Sequence, residues 1–142
     1  MTANTSRWEG QKAIVSTLTS SATFTSLVAT VYDEPPTNAD YPYVVIGGGT
    51  EVSDNNLQRL GFEATLTLFV YTRPYGLGWY PAYQIYDAMN EVLNVRKLTF
   101  ENDVSNLFIK SDSIPSEEKE GDKRILHCRY RFWTQQDNLH TI

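Results

Sequence analysis

The sequence predicts an α+β fold: a mostly antiparallel β-sheet with two main helices packed on one face, in a single domain of 142 residues. Three observations carry this. Residues 62–71 and 124–133 alternate apolar with polar side chains, the period of two expected of a half-buried strand. Residues 6–18 and 79–94 instead repeat their apolar residues at helical spacing. The elements run helix, helix, short strand, two strands, helix, then strands, without the strict alternation that builds a parallel sheet. Strand order is not encoded in this pattern.

In the first helix Trp8, Gln11, Ile14, Val15 and Leu18 fall on one side. Ser20 or Ser21 is placed to cap a second, short helix carrying Phe24, Leu27 and Val28. Val31 and Tyr32 form a brief extended piece that Pro35 and Pro36 end. The β-branched and aromatic run Tyr43, Val44, Val45, Ile46 is a strand entered through Pro42 and closed by Gly47, Gly48 and Gly49. A polar loop over residues 50–60 follows, with Asp54, Asn55 and Asn56 at its centre.

The strand at 62–71 buries Phe62, Ala64, Leu66, Leu68 and Val70 on one face. A Pro/Gly-bearing loop leads to the helix at 79–94, whose core stripe is Ala82, Ile85, Tyr86, Met89, Val92 and Leu93. Pro81 fits its first turn, where a missing N–H costs nothing. A short strand is expected at 97–100. Residues 106–114 and 124–133 read as hairpin arms joined by a charged turn at 115–123. Leu126, Cys128, Tyr130 and Phe132 occupy one face of the last arm; His127, Arg129, Arg131 and Trp133 occupy the other. Flexible ends are expected at about residues 1–6 and 135–142.

Composition narrows the chemistry. No uninterrupted apolar run exceeds four residues, so no membrane-spanning helix is expected, and the Ser/Thr-rich start lacks the pattern of a signal peptide. A net charge of −5 argues against broad electrostatic capture of nucleic acid. Cys128 is the only cysteine, so one chain makes no disulfide and no thiolate zinc site. His127 and His140, the only histidines, are a poor metal pair, and neither a metal nor a cofactor is expected.

Three catalytic leads fail on inspection. Gly76-Leu77-Gly78 follows a strand and opens a helix, with Glu101 at nearly the spacing of a dinucleotide site. Pro81 replaces the third glycine, however, and Trp79 and Tyr80 crowd the place where a pyrophosphate would approach. Glu117, Glu118 and Lys119 with Asp112 superficially resemble the carboxylate cluster of a metal-dependent nuclease, but lie in a segment that reads as a solvated turn. No histidine sits in a Ser-His-Asp arrangement, and no nucleophile elbow or phosphate loop is present.

Aromatic residues make up 13% of the chain, with nine tyrosines and three tryptophans, and some of them are core. Periodicity assigns Tyr43, Tyr86, Tyr130 and Phe132 to the core. Phe69, Tyr71 and Trp133 fall on the outer faces of their strands, where a lone domain is normally polar, so either helices cover both faces or these rings meet another subunit. Arg59, Arg129 and Arg131 are candidates for ion pairs across subunits.

In this order the segments resemble the tail-terminator (tail-completion) proteins of long-tailed bacteriophages. The resemblance rests on Val31-Tyr32-Asp33-Glu34-Pro35-Pro36 followed by Tyr41-Pro42-Tyr43-Val44-Val45-Ile46-Gly47, on the strand from Glu63 through Ala64-Thr65-Leu66-Thr67-Leu68-Phe69-Val70-Tyr71-Thr72-Arg73, and on the closing Arg129-Tyr130-Arg131-Phe132. It spans about residues 8–134. It implies a structural virion protein without catalytic groups. Such a protein forms a ring, commonly of six subunits, at the head-proximal end of the tail tube. There it ends tube polymerisation and joins the tail to the neck, its partners being the tube protein and a connector or head-closure protein. Asp54, Asn55, Asn56, Arg59, Phe69, Tyr71, Arg129, Arg131 and Trp133 are then expected at subunit or tube contacts. Asp54, Glu117, Glu118 and Glu120 are expected to face a lumen through which genomic DNA passes without specific binding. A head-closure or neck adaptor, and a small metal-dependent nuclease, are the alternatives.

Overall fold

The computed structural model describes residues 6–28, 30–53, 59–73, 76, 78–94, 104–111 and 115–137. Helix α1 (Ser6–Thr19) seats Gln11, Ala13, Ile14 and Leu18 in the interior. At its Ser/Thr-rich end hydroxyls fold back onto carbonyls one turn earlier: Thr17 Oγ1 donates to Ala13 O at 2.8 Å and Ser20 Oγ to Ser16 O at 2.7 Å. Helix α2 (Ala22–Leu27) is capped by Ser21, whose Oγ accepts from the Phe24 N–H at 3.2 Å, and it buries Phe24. Strand β1 (Thr30–Tyr32) follows, then β2 (Tyr43–Ser53) and β3 (Arg59–Thr72). Helix α3 (Tyr80–Leu93) opens with Pro81 in its first turn and buries Ala82, Ile85, Ala88, Met89 and Leu93. Strands β4 (Val104–Ser111), β5 (Ser116–Glu120) and β6 (Lys123–Asp137) complete the chain.

The sheet order is β1-β2-β3-β6-β4, with β5 also on β6. All pairs are antiparallel except the short β1–β2 pair. β3 and β6 form the spine, in register from Arg59↔Asp137 to Thr72↔Arg124. On the far side of β6, β4 covers one half (Val104↔Gln136 to Ser111↔Tyr130) and β5 the other (Ser116↔His127 to Glu120↔Lys123). Strand alternation then sets the core. Val44 and Ile46, then Ala64, Leu66, Leu68 and Val70, then Leu126, Cys128, Tyr130 and Phe132 are all buried and meet α1 and α3, with Phe24 of α2 in the same cluster. The helices therefore lie on one face, as the sequence predicts.

Several boundaries differ from the sequence reading. The expected loop at 50–60 is mostly strand: β2 runs on to Ser53 and β3 begins at Arg59, so Arg59 belongs to a strand paired with Asp137. The three glycines do not close β2; the strand passes through them with a register shift between Ile46 and Gly49, a β-bulge. Gly47 is required there, because a Cβ would lie 2.1 Å from Phe69 Cε2. The charged turn at 115–123 contains a strand, β5, and the true turn is Gly121-Asp122, with Gly121 at φ +60°. β6 also reaches Asp137, into the stretch expected as tail. The short strand expected at 97–100 lies outside the described residues.

A candidate interaction face

Register determines what the other side of the sheet presents. Tyr43 pairs with Tyr71, which pairs with Ile125; Val45 pairs with Phe69, which pairs with His127. Further along, Thr67 pairs with Arg129, Thr65 with Arg131 and Glu63 with Trp133. These residues alternate with the core positions and so share the face opposite the helices. Among the described residues no helix packs on it.

Its rings cover one another. Tyr43 and Tyr71 stack with centroids 4.9 Å apart and planes 7° from parallel. Tyr32 and Tyr41 meet Tyr43 edge-on at 5.7 and 4.9 Å, and Phe69 meets the His127 ring edge-on at 4.7 Å. Tyr43 is left only 7% exposed and Ile125 3%, with no helix above them. Burial, and then the Tyr41 hydroxyl and its charge, raise the Tyr43 phenol well above its usual value; Tyr71 is raised by burial and by the Glu118 and Glu120 carboxylates. Tyr43 is thus buried as expected, but in this outer cluster and not under the helices. The spacing held the clue: a strand that puts Val44 and Ile46 inward must turn Tyr43 and Val45 outward.

Charged groups frame the rings. Glu118 Oε1 lies 2.8 Å from His127 Nε2, tying β5 to β6 across the face. The Arg73 guanidinium sits 4.4 Å above the Tyr41 ring centre, with Asp122 Oδ2 at 3.5 Å from its Nε. Arg131 pairs with Glu63 of the same chain, so at least one of its contacts is internal. Arg129 is exposed.

The structure thus brings Phe69, Tyr71, Arg129 and Arg131 onto one face, with Trp133 on the same face by register. Arg59 lies at the far end of the spine, and Asp54, Asn55 and Asn56 fall outside the described residues. Sequence reasoning missed Tyr32, Tyr41, Arg73 and His127 as members of the site. The acidic residues diverge: Glu118 turns to His127 on the open face, while Glu117 accepts from the Tyr83 hydroxyl of α3 at 2.8 Å, on the helix side. That bond lifts the Tyr83 phenol to about 12. All five residues of β5, Glu120 included, are exposed.

The site offers binding surface, and no assembled reaction centre is visible in it. Glu117 and Glu118 point to opposite sides of β5, against a shared metal, and Asp112 lies outside the described residues. Among the described residues no three His, Cys, Asp or Glu side chains are grouped to hold a metal. Cys128 is buried in the core, which pushes its thiol up to about 12, far from a reactive thiolate. No described helix is long and apolar enough to cross a membrane.

Comparison with known proteins gives this arrangement a family. A search of curated proteins finds no match. Among solved structures, a chain of the "Virion of native gene transfer agent (GTA) particle" superposes with a TM-score of 0.77, covering 94% of this chain and 99% of its own. At 19% identity the likeness is one of fold. The family model of tail completion protein gp17 matches residues 12–135, from the first helix to near the end of β6. The chain therefore belongs to the tail completion protein gp17 family, structural proteins of the bacteriophage virion.

Proposed function

We propose that this protein forms a closed ring, of six subunits, on the head-proximal end of the tail tube. The ring ends tube polymerisation and joins the tail to the neck connector or head-closure protein, and genomic DNA passes through its lumen. The role is structural and needs no cofactor. The observation that carries this reading is the one-sided sheet. Helices α1 and α3 close one face, and the other displays stacked tyrosines, Phe69 and arginines, residue types concentrated at protein interfaces. A contact between different patches on successive copies, when its rotation closes, gives a ring and consumes surfaces that would otherwise propagate a filament. On this reading Phe69, Tyr71, Arg129, Arg131 and Trp133, with Arg59 and the Asp54-Asn55-Asn56 segment, contact the neighbouring subunit or the tube. Asp54, Glu117, Glu118 and Glu120 keep the lumen acidic, so that phosphates slide past without sticking.

Electron microscopy of particles made without this gene tests the proposal. Tails of uncontrolled length beside unattached, DNA-filled heads are expected. Heads that leak DNA beside tails of normal length would make the protein a head-closure adaptor instead, and normal particles would refute both roles.

A further inference from the structure

The surface behind the helices differs in kind from the open face. Helix α3 buries Ala82, Ile85 and Met89 and turns Tyr80, Gln84, Asp87 and Glu91 away from the sheet in one helical stripe. With Ser26 and Leu27 of α2, that stripe lines a cleft of about 480 Å³. Neither α2 nor α3 contains a lysine or arginine, so the charges these helices bring to the cleft, Asp87 and Glu91, are both negative, and both are exposed. Tyr80 is 63% exposed, the one large apolar side chain left so among the described residues. Its ring is nevertheless held, because the hydroxyl oxygen accepts from Gln84 Nε2 at 3.0 Å, which leaves the hydroxyl proton to donate outward.

The open face of the same chain carries what this cleft lacks. Arg129 is exposed there, Arg131 follows two residues on along β6, and Lys110 of β4 stands opposite Arg131 in register. Glu63 pairs with Arg131, so three cations and one carboxylate leave this part of the sheet positive. Like charges opposed across two strands are unfavourable by themselves, and carboxylates brought from outside relieve them. A guanidinium also suits a tyrosine ring, as Arg73 over Tyr41 shows within the chain. The two surfaces lie on opposite sides of the sheet, so one copy cannot join them and two copies can. Helix face on helix face would oppose carboxylates, and open face on open face would oppose arginines; open face on helix face pairs opposite charges. We propose that the open face around Arg129 and Arg131 docks on the α2–α3 cleft of the next copy of this chain, with Arg129 toward Asp87 and Glu91 and Tyr80 as the aromatic anchor. The contact joins different patches on successive copies, the kind that closes into a ring. The inference rests on the ring reading and names the second surface of its contact.

The test is subunit association of the full chain, alone and with purified tail tubes, by sedimentation velocity and native mass spectrometry over a concentration series. Asp87→Lys and Arg129→Glu each reverse one exposed charge, one on either surface. Each alone is expected to weaken association about tenfold at about 0.1 M salt, the loss shrinking at about 1 M as the charges are screened. Their equimolar mixture is expected to recover to within about threefold of wild type. Alternating copies then set each reversed charge against a reversed one of opposite sign, and each native charge against its native partner. Tyr80→Ala should weaken association by a similar factor. Tyr80→Ala and Asp87→Lys change only exposed helix positions, so they read the helix side even if Arg129→Glu disturbs the sheet, which melting temperatures reveal. Asp87→Lys and Tyr80→Ala associating like wild type would overturn the inference and leave the ring reading standing. Folded variants that weaken association singly and do not recover on mixing would overturn it too, since the two surfaces would then face other partners. A wild-type chain that never associates, even with tubes, would sink the ring reading and this inference together.

Discussion

Replacing Gly47 by alanine probes whether the open face is a packed structure or a loose collection of rings. The new Cβ would lie 2.1 Å from Phe69 Cε2 and 3.0 Å from both Cδ2 and Cζ, so something must shift. If the ring stays, the bulge in β2 must distort, and overpacking of this kind costs about 1–3 kcal/mol. If the ring swings out, it abandons its edge-on contact with His127 at 4.7 Å, worth about 0.5–1.5 kcal/mol, together with part of its apolar burial. The cheaper route sets the loss at about 1–2 kcal/mol, or roughly 2–8 °C in melting temperature for a chain of this size. Denaturant and thermal unfolding of Gly47→Ala, Phe69→Ala and the double variant measure it as a cycle. In the Phe69→Ala background the glycine substitution should cost under about 0.5 kcal/mol, because the obstructing ring is gone. An undiminished cost there would show that Gly47 is kept for its backbone alone and that Phe69 is not fixed against it.

Other predictions concern the core and its titration. Tyr130→Phe removes the bond from the buried hydroxyl to Asn90 Oδ1 at 2.6 Å and should destabilise by about 1–2 kcal/mol in denaturant titrations. The Tyr43, Tyr71 and Tyr130 phenols are all held above their usual value of 10.0, chiefly by burial, so the unfolded chain loses these protons first. Their contribution is therefore intact below pH 10 and is lost as pH rises beyond it. The melting temperature should fall steadily above that pH, and less steeply in Tyr130→Phe. Cys128, fully buried with its thiol raised to about 12, should resist thiol reagents at pH 8 and label at the rate of unfolding.

What the sequence could show depended on whether a residue's role is set by its own strand or by a neighbouring one. The alternation around Leu66 and Leu68 and around Cys128 and Tyr130 placed both spine strands and their inner faces, because local period and burial agree there. It also put Phe69, Tyr71 and Trp133 on the outer face. β5 escaped detection because Ser-Glu-Glu-Lys-Glu has no apolar residue to alternate; it is a strand only because β6 offers it an edge. Gly47, Gly48 and Gly49 read as a stop for the same reason, since it is the paired length of β3 that carries β2 through them. The cluster of Tyr41 with Arg73 was equally hidden. Each lies two residues beyond the Tyr43↔Tyr71 pair, and nothing in either segment alone announces that register.

The proposed lumen charge yields the most demanding prediction, because the acidic residues also take part in the fold. Glu118 holds His127 and Glu117 accepts from Tyr83, so changing them to lysine alters packing as well as potential. Two variants separate these effects. Asp54, Glu117, Glu118 and Glu120 changed together to alanine lose the acceptors at Tyr83 and His127 as lysine does, without gaining attraction for phosphate. Changed together to lysine, they place cations in every subunit of the ring, where a confined pore concentrates their field. If packing alone matters, the two variants impair infection alike and salt makes no difference. If lumen charge matters, the lysine particles eject DNA more slowly than the alanine particles. The gap should also close as salt is raised and the Debye length falls from about 10 Å at 0.1 M to about 3 Å at 1 M. Lysine particles that assemble normally and infect and eject DNA like wild type would refute the lumen assignment while leaving the ring itself untouched.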